Sequence, residues 1–164
     1  MENYIVINGR KAELTEEQLI ALGINVKRED PFELKYGDYY LINIDGKVES
    51  DYYYETHTYA EDRHNVANFC TDKNIMEQRA LHETLNRLLW RYSMQHDGDK
   101  INWSDIAEHK YKIYYNNYDK LWTIDSNQYS ISVGDIYFFT RNIAEAAIEK
   151  VIKPFMREHP DFKW

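Results

Sequence analysis

The chain has 164 residues, 43% of them hydrophobic, enough for one folded core and too apolar for a disordered protein. A formal net charge of −8 speaks against a general phosphate binder. The single cysteine, Cys70, excludes an internal disulfide. No apolar run approaches membrane length and the first residues carry no basic-then-apolar leader, so a soluble protein of a reducing cytoplasm is expected.

In chain order, YIVINGRKAEL (4–14) reads as a hairpin turning at Asn8-Gly9, a pair that tolerates the positive φ angles of a type I′ turn. Thr15 and Gln18 have the spacing of a capping box. They open a short helix over 16–22, with Leu19 and Leu22 on one face and Gly23 as the left-handed stop. A charged connector runs over 25–37. DYYLINIDGKVESDYYY (38–54) is the clearest hairpin, with Asp45-Gly46 as a second type I′ signal. Strand alternation puts Val48, Ser50, Tyr52 and Tyr54 on one face of its second strand. Glu49, Asp51, Tyr53 and Glu55 fall on the other. Tyr52 and Tyr54 are expected to pack into the sheet while the acids face outward.

A polar loop and the short run NFCT lead to a helix over 72–94, with Met76, Ala80, Leu81, Leu85, Leu88, Leu89 and Tyr92 at three- and four-residue steps. QHDGDK (95–100) ends it, and INWSDIAEHK has room for one turn capped by Ser104 or Asn102. YKIYYNNYDKLWTI (111–124) reads as a hairpin turning near Asn117 to Asp119, followed by a strand over 135–139. The last helix starts after Thr140, and Pro154 and Pro160 weaken its far end. The halves 38–94 and 109–156 echo each other as hairpin, short strand and helix, with Phe69 and Thr71 matching Phe138 and Thr140. Each threonine is expected to cap the next helix. The expected fold class is α+β: one compact domain, with residues 1–37 as an N-terminal hairpin and helix and 38–164 as the body.

Charge is unevenly placed. From Arg28 to Asp62 ten acids face three bases (Arg28, Lys35, Lys47), so this segment alone carries −7. Such a field attracts basic partners, and a merely solvated face is the bland alternative. Catalytic and metal patterns are weak. His57, His64, Asp62 and Cys70 show no CxxC, HExxH or HxH spacing. HDGD (96–99) lacks the ligand series of a calcium loop. Cys70, in a β-like run beside Phe69, reads as a buried thiol more than a nucleophile. No catalytic residue, cofactor or metal ligand is assigned. Arg79, Arg87 and Arg91 share one helix and HKYKIYY mixes bases with aromatics, yet the overall charge makes direct nucleic-acid binding an unfavourable expectation.

YGDYYLINIDGKVESD, ANFCTDKNIMEQRAL, INWSDIAEHKYKIYY and GDIYFFTRNIAEAAI occur in the same order in a functionally uncharacterised group of small accessory proteins of phages and prophages of Gram-positive bacteria, which this chain resembles. Many of those relatives carry glycine where this chain has Ala67. The resemblance implies a phage product acting in the host cytoplasm on host machinery. Joined to the charge distribution, it gives the expectation of a non-enzymatic inhibitor. Asp51, Tyr52, Tyr53, Glu55, Tyr59, Glu61 and Asp62 would bind a bacterial host or defence protein with a basic surface, such as a CRISPR effector. Two alternatives remain at this stage. One is a small phage enzyme or sink for a signalling nucleotide, with a pocket lined by His57, His64 and Arg63 or by Arg79 and Arg91. The other is a structural or regulatory phage protein. Phe162 and Trp164 are expected to dock on the domain or on a second copy, as in a homodimer.

Overall fold

The computed structural model describes residues 4–7, 10–23, 30–54, 58–128 and 130–163. Strands β1 (Tyr4–Ile7) and β2 (Arg10–Glu13) pair antiparallel, and the Asn8-Gly9 turn lies outside the described residues. Helix α1 (Glu16–Ala21) is closed by the expected capping box: the Thr15 N–H donates to Gln18 Oε1 at 2.9 Å, and the Gln18 N–H to Thr15 Oγ1 at 3.3 Å. Gly23 takes φ +71°. Leu19 is buried but Leu22 is exposed, so the expected apolar face narrows to one residue among those described.

Strands β3 (Gly37–Ile42) and β4 (Val48–Tyr53) form the acidic hairpin. Its turn is not the two-residue type I′. The loop spans Asn43 to Lys47, closed by the Gly46 N–H donating to the Asn43 carbonyl, and only Gly46 has positive φ (+85°). The Asn43 side chain accepts from the backbone N–H of Asp45 and Lys47, a local bond that outcompetes the tighter turn. On the other edge of β3, Tyr40 and Cys70 exchange backbone bonds at 2.7 and 3.0 Å. The Asn68 side-chain amide spans the Ile42 N–H and carbonyl at 2.7 and 2.8 Å, extending the ladder with a side chain.

Residues expected as a polar loop contain helix α2 (Thr58–Asn65). It ends in a Schellman motif: the Ala67 N–H donates to the His64 carbonyl and the Asn68 N–H to the Arg63 carbonyl, with Ala67 at φ +56°. Helix α3 (Lys73–Gln95) follows. Its cap is Asp72, which accepts from the N–H of Asn74 and Ile75, and not Thr71, whose hydroxyl donates to the Pro31 carbonyl. Strands β5 (Lys110–Asn116), β6 (Leu121–Asn127) and β7 (Tyr137–Phe138) form an antiparallel sheet with β5 central. Thr140 caps α4 (Arg141–Ala147) as expected. A π turn (Ile148–Ile152) then leads into α5 (Lys153–Glu158). Pro154 supplies the reason for the wide turn, since it has no N–H and its ring crowds the carbonyl four residues back.

The architecture is α+β. Helix α3 is its spine. Its first half sets Met76 and Ala80 against Ile42, Cys70, Tyr40 and Val48. Its second half sets Leu85 and Leu89 into the main core with Phe138, Ala144, Ile152 and Phe155. Phe162 is buried in that core, edge-on to His82 and Phe155, so this part of the tail docks on its own chain. Trp164 lies outside the described residues.

Candidate functional site

The register of β3 and β4 decides where the tyrosines go. Tyr39 stands opposite Asp51 and Gly37 opposite Tyr53, so Tyr39, Asp51 and Tyr53 share one face. Helix α2 covers that face: Ala60 packs with Tyr39, Leu41, Tyr53 and Phe69 in a closed cluster. Asp38 stands opposite Tyr52 on the other face, which α3 covers only at the Ile42–Val48 end. Tyr52 sits four strand positions from Val48, about 13 Å along, beyond the reach of that contact.

The expectation for these side chains is therefore inverted. Tyr53 is 8% exposed and stacks on Tyr36 at 5.3 Å, while Tyr52 and Tyr54 are 52% and 50% exposed. Asp51 does not face outward as a free acid. Its Oδ2 accepts from the Tyr39 hydroxyl at 2.9 Å and from the Arg63 guanidinium at 2.5 Å, and its Oδ1 from the Tyr52 N–H at 2.8 Å. Burial opposes ionisation of Asp51, but the Tyr52 N–H, Arg63 and Tyr39 together outweigh it and hold the carboxyl below its usual value. Burial and the bond to Asp51 push the Tyr39 hydroxyl up. For Arg63, burial is again outweighed, by Asp51 and Tyr39, and its proton is held more tightly than usual. Arg63 lies one position beyond the segment whose charge is −7, and it neutralises Asp51 within it.

Helix α2 turns Ala60, Arg63 and His64 inward, at positions i, i+3 and i+4. Tyr59 (67% exposed), Glu61 and Asp62 stay on its outer side. Glu61 also reaches the Tyr53 hydroxyl at 3.4 Å, tying the outer helix surface to the buried tyrosine. The structure thus brings Asp51, Tyr53 and Glu61 together, sets Tyr59 and Asp62 beside them on α2, and sends Tyr52 to the opposite face. Glu55 lies outside the described residues. Sequence reasoning placed Arg63 only in the pocket of the nucleotide alternative and missed its ion pair with Asp51. Its signal was present in the i, i+3, i+4 spacing of Ala60, Arg63 and His64, but one alanine is a faint apolar stripe.

The chemical alternatives have definite placements. His64 Nε2 is 3.0 Å from the Phe32 carbonyl, and its ring stands edge-on to Phe69, so it serves as packing. His57 lies outside the described residues. Arg79 is held by Glu83 at 2.8 Å and by the Ala67 carbonyl. Arg91 stands twelve residues further along α3, about 18 Å away, so the two do not line one pocket. Cys70 is fully buried, burial raises its thiol pKa, and its sulfur accepts from the Asp72 N–H, the environment of a structural thiol. Among the described residues no group of His, Cys, Asp or Glu is placed to hold a metal ion, and no helix is long and apolar enough to cross a membrane. No family model, curated protein or solved structure matches the chain.

Proposed function

We propose that the chain is a non-enzymatic binding protein whose outer α2 surface, Tyr59, Glu61 and Asp62, docks on a basic surface of a bacterial protein. The observation that carries this reading is the division of labour along α2. Ala60 and Arg63 anchor the helix to the sheet and His64 ties it to the Phe32 carbonyl, leaving a large aromatic and two carboxylates exposed on a fixed scaffold. A tyrosine among acids has the composition of an interface anchor, since its ring covers area at low entropic cost and the charges steer a basic partner.

The phage resemblance narrows the partner to host machinery, and the acidic field favours proteins built to hold nucleic acid. The function proposed is inhibition of such a defence protein, in the manner of an anti-CRISPR. Tyr52 and Asp38, on the opposite face, fall outside the contact surface in this account. The test is the plating efficiency of a restricted phage on hosts that carry nucleic-acid-targeting defences and express the chain. Rescue in one such host is expected, and restriction left intact across them would remove the inhibitory reading.

A further inference from the structure

We infer that the cleft between α3 and the C-terminal helix binds a small phosphorylated anion. The cleft holds about 240 Å³; Arg91, Gln95, Lys150 and Glu158 are the charged and amide groups of its lining, and Leu88, Val151 and Phe155 contribute apolar surface to it. Its two cations, Arg91 and Lys150, come from facing segments. Two other bases of the C-terminal helical run are matched within it: Arg141 bonds Glu145 and Lys153 bonds Glu149. The sequence denies that pairing to the cleft. Lys150 has Ala146 and Pro154 at its i±4 positions, and Arg91 has Arg87 and Gln95. Among the described residues neither Arg91 nor Lys150 forms an ion pair.

In a chain of net charge −8, two cations lining one cleft from facing helices, with an amide beside them, form a local anion site. A guanidinium suits a phosphate edge through two parallel bonds, and an ammonium adds a point charge. Size sets the ligand class. The volume falls below the roughly 300–1,000 Å³ of pockets that enclose drug-sized ligands. It accommodates a phosphate with a few attached carbons and leaves too little room for a whole nucleotide. Glu158 shares the lining and repels an anion, so the two cations and one carboxylate leave the lining a net charge of +1.

The experiment is calorimetric titration of the full chain with inorganic phosphate and with glycerol phosphate at low ionic strength. Saturable millimolar binding is expected, weakened about tenfold by Arg91→Gln or Lys150→Gln, the scale of one lost charge-assisted bond. Glu158→Gln is expected to tighten it, and Arg87→Gln, whose partner is Glu83 outside the cleft, to leave it unchanged. Absence of saturable binding, or binding that Arg91→Gln and Glu158→Gln leave unaltered, would overturn the assignment.

Discussion

The three bonds converging on Asp51 decide which residues of the hairpin carry stability and which remain exposed. Tyr53 lies under α2 and Tyr52 lies in solvent, so their alanine variants should differ sharply. Tyr53→Ala removes a buried ring, with an expected cost of about 3 kcal/mol, while Tyr52→Ala should stay within about 0.5 kcal/mol. Urea unfolding of the two variants checks this order, and equal midpoints would contradict the register. Asp51 adds a pH signature. Its carboxyl is held below its usual value in the fold, so its contribution is fully present above about pH 4, the unfolded carboxyl's range, and is lost as pH falls below that. The stability gap between wild type and Asp51→Asn should therefore shrink as unfolding is followed from neutral pH toward pH 3. A gap that stays constant would mean that the Arg63 and Tyr39 contacts do not favour the charged form.

Among the elements, those with strong local signals were legible in the sequence. The Thr15–Gln18 capping box, the long apolar stripe of α3 and the alternation of β3–β4 each follow from one-dimensional spacing. Three features were not. Helix α2 has a single aliphatic inward residue, Ala60, and is held by an ion pair to a strand, which periodicity cannot register. The facing of Tyr52 and Tyr53 depends on which side α2 and α3 cover, a tertiary fact that alternation leaves open. The cap of α3 fell to Asp72 because Thr71 is drawn to the Pro31 carbonyl. The end of α2 also carries a cost. Ala67 occupies the left-handed position of the Schellman motif, where a Cβ is disfavoured by roughly 1–2 kcal/mol. Ala67→Gly should relieve this and stabilise the protein by about 1 kcal/mol, after the added chain entropy of glycine in the unfolded state. Chemical denaturation reads the gain, and a loss would show that Ala67 contributes contacts outweighing its backbone strain.

In the molecule as a whole, α3 joins two packing regions. The acidic hairpin with α2 rests on its first half, and the second sheet with α4 and α5 on its second. Both sheets place the first strand of a hairpin at the centre, with a short segment leading into a helix on its other side. The candidate site was legible in part. Charge singled out the segment that the proposal uses, but its residues divide between two faces and one half-buried ion pair. Tyr59, Glu61 and Asp62 are exposed on α2, and the functional account stands on them. The most direct measurement is phage plating on a host whose defence the wild type blocks, comparing wild type with the Glu61→Lys, Asp62→Lys double variant. Both positions are exposed and the Glu61 contact to the Tyr53 hydroxyl is long, at 3.4 Å, so the variant should keep its unfolding free energy within about 1 kcal/mol of wild type. The account predicts that plating falls back to the restricted level, because like charges now meet across the interface. Rescue by the folded double variant equal to that of wild type would contradict it.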